Sequence, residues 1–161
     1  MNFKIVGAFA AVALLAACSH KPAETSAGAM TQTTQAPPPV GIVPGSQEDL
    51  VANVGDRVFF EFNKSTLTDD AQKTLGKQAD WLAKYPTVKV QLAGNADERG
   101  TEEYNLALGN RRANAARDFL VAKGVSAARI TTISYGKDRP VALGSNEQAY
   151  AQNRNSITSV R

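Results

Sequence analysis

The chain is poor in the side chains that carry most catalysis. Its 161 residues hold one cysteine and one histidine. One cysteine cannot close an internal disulfide, and one cysteine with one histidine cannot assemble a zinc site from sulfur and nitrogen ligands. No Ser–His or Cys–His pair can be built, because Cys18 and His20 both lie near the N-terminus, apart from the main apolar pattern. Asp97 and Glu98 are adjacent and so point apart, unlike the facing carboxylates of a glycoside hydrolase. Asp69-Asp70 has no calcium-loop continuation, and no glycine motif for phosphate appears. Charge of one sign is lacking too: 18 basic against 15 acidic residues give +3, too little and too scattered for nucleic acid. The expectation is no enzyme, no metal, no cofactor and no nucleic-acid partner.

What is present falls into three unlike segments. Residues 1–17 carry one charge, Lys4, followed by a 13-residue apolar run broken only by Gly7. A bilayer-spanning helix needs about 20 residues, so this run fits an export signal instead. It ends at Leu15-Ala16-Ala17-Cys18, which resembles the lipobox of bacterial lipoproteins. The resemblance implies cleavage before Cys18, a diacylglycerol on its sulfur and a third acyl chain on its new amine. One chain anchors only marginally and several hold firmly. Ser19 stands where an Asp favours inner-membrane retention, so the implied location is the outer membrane, with the rest of the chain in the periplasm. Residues 18–46 form the second segment, with five of the seven prolines and no aromatic residue. Such a stretch buries too little apolar area to offset its ordering entropy and reads as a disordered tether. Residues 47–161 carry every aromatic residue except Phe3 and Phe9 and form the one folded domain expected.

Within that domain, Val58, Phe60 and Phe62 alternate as one face of a strand over 58–62. Thr66 or Thr68 before Asp69-Asp70 opens a helix whose inward stripe is Ala71, Leu75, Ala79 and Leu82, and Tyr85-Pro86 stops it. Trp81 beside that stripe reads as packing or rim surface. Val88, Val90 and Leu92 mark a second strand ending at Gly94; a second helix covers about 101–123 and stops at Gly124. A third strand is expected over 130–135, a turn or two of helix over 146–152, and a last strand over 156–160. The fold class expected is α/β, a two-layer sandwich in the order βαβαββ with a mixed sheet and helices on one face.

The second helix carries an anomaly. Its inward stripe reads Leu108, Arg112, Ala115, Phe119 and Ala122, with an arginine among four apolar residues. A guanidinium on a core-facing stripe needs an anionic partner, because an unpaired charge taken out of water is very costly. Asp97, in the loop after the second strand, sits at the carboxyl edge where open α/β sheets tend to bind ligands. Asn105 lies on the same side, two turns before Arg112. Spacing leaves two readings open: a pocket with one anion and one cation, shaped for a zwitterion, or a closed Asp97–Arg112 salt bridge that steadies the fold and leaves an adaptor acting by protein contacts.

Gly94-Asn95-Ala96-Asp97-Glu98-Arg99-Gly100-Thr101, Tyr104-Asn105-Leu106 and Arg111-Arg112-Ala113-Asn114-Ala115 resemble the OmpA-like C-terminal domain family, in its lipidated branch, the peptidoglycan-associated lipoproteins. Ser134-Tyr135-Gly136-Lys137 with Pro140, and Gln152-Asn153-Arg154, fit as well. The resemblance covers about residues 55–161. It implies non-covalent binding of the meso-diaminopimelate of peptidoglycan stem peptides, with Asp97 taking the ammonium and Arg112 the carboxylate. Asn105 and Leu108 match the family's wall on the helix, with Phe60, Glu61 and Asn95 as further contacts. It implies a role in the Tol–Pal system at cell division, with TolB and TolA as partners. Three positions depart: Asn95 stands where many members have His, Glu61 and Asn63 where Asp is common, and Asn155 where a second Arg is frequent. The departures leave Asp97 and Arg112 in place.

Overall fold

A computed structural model describes residues 41–161. The signal segment, Cys18, His20 and all of the tether before residue 41 lie outside the described residues. The elements are α1 (Gln47–Asn53), β1 (Arg57–Phe59), α2 (Asp69–Lys84), β2 (Val90–Asn95), α3 (Glu102–Ala122), β3 (Ile130–Gly136), α4 (Glu147–Asn153) and β4 (Asn155–Val160). One four-stranded sheet runs in the order β1-β4-β2-β3. β2 and β3 are parallel, joined by the α3 crossover, while β4 runs antiparallel to both β1 and β2. Helices α2 and α3 pack on each other and on this sheet. The α/β mixed-sheet expectation holds, and α1 is an addition that seven residues were too few to announce by periodicity.

Local chemistry accounts for the helices. Thr68 and Thr101 accept hydrogen bonds from the third residue on, Ala71 N and Tyr104 N, with acidic pairs in both first turns to meet the helix dipole. The α2 stripe buries Ala71, Leu75, Ala79 and Leu82 against Val58, Phe60, Val90 and Leu92. Each fully buried Leu contributes about 1.5–3 kcal/mol by removal from water. Trp81 is buried and not at the rim. Its Nε1 donates to Asp49 Oδ2 at 3.0 Å, and its ring meets Tyr85 edge-on.

Two sequence expectations need correction. The first strand ends at Phe59, so Phe62 does not share a core face with Val58 and Phe60; it is 56% exposed. The chain leaves the sheet there and reaches Asn63 at φ 57, a left-handed backbone that asparagine tolerates. The buried face of α3 is also rotated from the stripe expected. Asn105, Leu108, Gly109, Arg112, Ala113, Ala116 and Leu120 are buried, Ala115 and Phe119 are half-buried, and Ala122 is exposed. The cause is a backbone-to-backbone approach: a Cβ on Gly94 would lie 1.8 Å from the Gly109 carbonyl oxygen. Only the helix face with Gly109, Ala113 and Ala116 is flat enough to come that close to β2, and Phe119 is turned aside.

Candidate ligand-binding site

The close seating of α3 on β2 brings three pieces of chain together: the segment after β1, the loop after β2 and the first three turns of α3. They enclose a cavity of about 170 Å³ lined by Phe62, Asn63, Asp97, Arg99, Gly100, Tyr104, Asn105, Leu108 and Arg112. On α3, Leu108 is four residues after Tyr104 and three after Asn105, and Arg112 is four after Leu108, so each follows the last on one side of the helix. Four residues expected from the sequence, Asp97, Arg112, Asn105 and Leu108, are thus in the lining.

Arg112 is fully buried, and no carboxylate lies within ion-pairing distance of it among the described residues. The closed Asp97–Arg112 bridge is therefore absent. The guanidinium is held by backbone carbonyls instead. Nε donates to Lys64 O at 2.9 Å, Nη1 to Asn95 O at 2.7 Å and Nη2 to Glu61 O at 3.2 Å, with the Phe60 ring 5.1 Å away. Guanidinium has five N–H donors, so one on each terminal nitrogen keeps no hydrogen-bond partner among the described residues. Burial pulls its pKa down to about 10, with Asp97 opposing, so it stays charged at neutral pH.

Asp97 is 4% exposed and paired elsewhere. Its Oδ1 accepts from the Arg99 amide and from Arg99 Nε, each at 3.2 Å. Its Oδ2 accepts from Arg99 Nη2 at 2.7 Å and Arg154 Nη1 at 3.4 Å. Burial works to raise its pKa, but the Arg99 hydrogen bonds and charge, with Arg154 behind them, hold it below the ordinary aspartate value. Arg99 itself lies between the rings of Phe62, at 4.1 Å, and Tyr150, at 4.4 Å. Asn105 Nδ2 donates to Arg99 O at 2.9 Å, fixing the loop from the helix side.

Phe60, Glu61 and Asn95 stand outside the cavity lining and touch Arg112 from behind, through one ring and two main-chain carbonyls. The Glu61 carboxylate pairs with Lys64. The Asn95 amide points to Asn155 Oδ1 at 2.7 Å, so the Asn at 155 serves the Asn at 95 across the β2–β4 pair, and Asn95 Oδ1 is left buried without a partner. Cys18 lies outside the described residues. Sequence reasoning missed Phe62, Arg99, Tyr104 and Arg154 as parts of this site. Arg99 was legible, being two residues after Asp97, where an aspartate side chain commonly accepts the backbone amide in a tight turn. Arg154, brought in by the fold, was not.

Among the described residues, no helix is long and apolar enough to cross a membrane, and no cluster of acidic, histidine or cysteine side chains could hold a metal. A model of the OmpA family matches residues 59–154. The chain is 55% identical over 115 residues to a peptidoglycan-associated lipoprotein of Rhizobium meliloti, covering 71% of this chain. That match spans 65% of the relative's length, just under two thirds. A peptidoglycan-associated lipoprotein of Pasteurella multocida is 38% identical over 154 residues, covering 96% of this chain and 95% of the relative. The crystal structure of the peptidoglycan-associated lipoprotein from Burkholderia pseudomallei superposes with a TM-score of 0.64 at 42% identity, over 66% of this chain and 90% of that one.

Proposed function

The chain belongs to the OmpA family, and from that premise we propose that it binds peptidoglycan non-covalently, gripping the diaminopimelate side chain of a stem peptide in the Arg112 cavity. The family and its relatives make it a structural, binding protein and not an enzyme. The observation that carries the proposal is Arg112: a buried guanidinium that, among the described residues, has no carboxylate partner and two unspent N–H groups, with a cavity against it. Two terminal N–H groups on one planar fork suit a carboxylate bound through two parallel hydrogen bonds. Asp97, in the same lining, supplies the negative charge for the ammonium on the same carbon of the ligand. Leu108 and Phe62 offer apolar walls for the methylene chain.

In the envelope, three acyl chains on Cys18 hold the outer membrane, the tether crosses part of the periplasm and the domain holds the wall. Each grip is weak, and many copies in one plane act together. Participation in the Tol–Pal system at division, with TolB and TolA as partners, belongs to the same proposal and rests on family resemblance.

Co-sedimentation of the full chain with purified sacculi tests it. Free meso-diaminopimelate elutes the protein, and walls built with lysine in place of diaminopimelate retain it poorly. Arg112→Ala lowers affinity by roughly 2–5 kcal/mol, as when a desolvated charge pair loses one partner. Sedimentation of a folded Arg112→Ala protein at the parent's level, or indifference to free diaminopimelate, refutes the assignment.

A further inference from the structure

Asp97 has no acceptor position left for a ligand. A carboxylate offers about four lone-pair sites, and all four are filled, three of them by Arg99. The two arginines on Asp97 are not equally fixed. Arg154 is buried, donates from Nε to Phe60 O at 3.1 Å and pairs through Nη2 with Glu147 at 2.8 Å. Arg99 has a side chain 37% exposed, its guanidinium stacked on the Phe62 and Tyr150 rings. A second anion stands near it: the Glu147 carboxylate is 3.6 Å from Arg99 Nη1 and 67% exposed. Arg99 can thus leave Asp97, keep the Tyr150 face and remain paired, while Arg154 and the Arg99 main-chain amide stay on the carboxylate.

We propose that the Arg99 side chain is an internal stand-in for a ligand's cation, seated on Asp97 in the free protein and displaced onto Glu147 by the primary ammonium of an amino-acid head group. This rests on reading the Arg112 cavity as the site of that head group. Asp97 then keeps two cationic partners in both states, Arg154 with either Arg99 or the ligand ammonium. Selectivity follows from the exchange. A ligand with a carboxylate alone engages Arg112 and leaves Arg99 seated, whereas one carrying an ammonium beside the carboxylate takes both places. The free protein's affinity is lowered by the cost of unseating Arg99, as for any site that must first open.

The test uses the full chain in detergent with two probes, meso-diaminopimelate and pimelate, which lacks the ammonium groups. At saturation with meso-diaminopimelate the Arg99 Nε–H resonance shifts and exchanges faster with water; pimelate leaves it in place. Arg99→Gln removes the competing cation and binds meso-diaminopimelate roughly threefold or more tightly, the scale of a partly exposed ion pair. An unmoved Arg99 resonance under bound meso-diaminopimelate, or unchanged or weaker binding by Arg99→Gln, overturns the stand-in role while leaving the cavity assignment intact. Binding of meso-diaminopimelate by neither protein, with Arg112→Ala sedimenting with sacculi like the parent, overturns the cavity assignment and this proposal with it.

Discussion

Replacing Gly94 by alanine tests whether the seating of α3 on β2 builds the site. The added Cβ would lie 1.8 Å from Gly109 O, 2.6 Å from Gly109 C and 3.1 Å from Ala113 N, all backbone atoms. Ordinary contact begins near 3.4 Å, so the helix must retreat by about 1.6 Å. No side-chain rotation can relieve such a clash, because the obstacles are main chain. Arg112 rides on that helix, and its three carbonyl bonds, 2.7–3.2 Å long, would pass beyond hydrogen-bonding range. Overpacking alone costs about 1–3 kcal/mol, and three weakened hydrogen bonds to a charged group add to it. The expected loss exceeds about 3 kcal/mol, a fall in Tm of roughly 10 °C or more for a domain of this size. Urea unfolding and calorimetry measure the stability, and sedimentation with sacculi the function. Gly76→Ala is the control: nothing lies within 4 Å of its Cβ position in the middle of α2, so it gains about 0.5–1 kcal/mol. A Gly94→Ala protein that melts with the parent and binds sacculi equally well would refute the link between helix seating and site.

Thr101→Ala removes the α3 cap, which accepts Tyr104 N at 3.3 Å; a loss of about 1 kcal/mol is expected from chemical denaturation. Asp49 is held at about pKa 2 by the Gly45 amide, then the Asn53 amide and Trp81 Nε1. Because the folded pKa lies below the unfolded value of about 3.9, its stabilisation is complete above about pH 4 and is lost as pH falls towards 2. Trp81→Phe should narrow that acid window in unfolding curves taken across it. Sacculus binding should be flat between about pH 5 and 8, because the low Asp97 pKa and the high Arg112 pKa leave neither group titrating there. A step in sedimentation inside that window would refute the assignment of these two charges.

The elements that periodicity and capping announce were legible, each on its own residues. Thr68, one of the two threonines that could cap α2, starts it and Tyr85 closes it, while α3 opens at Glu102, one residue from the start its pattern suggested. Phe62 was misplaced because alternation marks a strand's faces but not where pairing stops. Ala115, Phe119 and Ala122 were misplaced because hydrophobicity favours the bulkier face, whereas the Gly94–Gly109 approach selects the flatter one. Arg112 was found as an anomaly, an arginine where apolar residues were due. Its companions were not all found, since Arg154 lies 57 residues from Asp97 along the chain.

The sequence alone determined the segment composition, the α/β class, the approximate bounds of α2 and α3, and an arginine among the apolar residues of α3. Those depend on neighbours within a few residues, whose spacing fixes which face they share. Tertiary structure decided how the charges are partnered: Arg112 on three carbonyls, and Asp97 between Arg99 and Arg154. Partnering is a matter of distances between segments far apart in the chain, and in a low-dielectric interior a shift of one or two ångströms decides which ion a carboxylate holds.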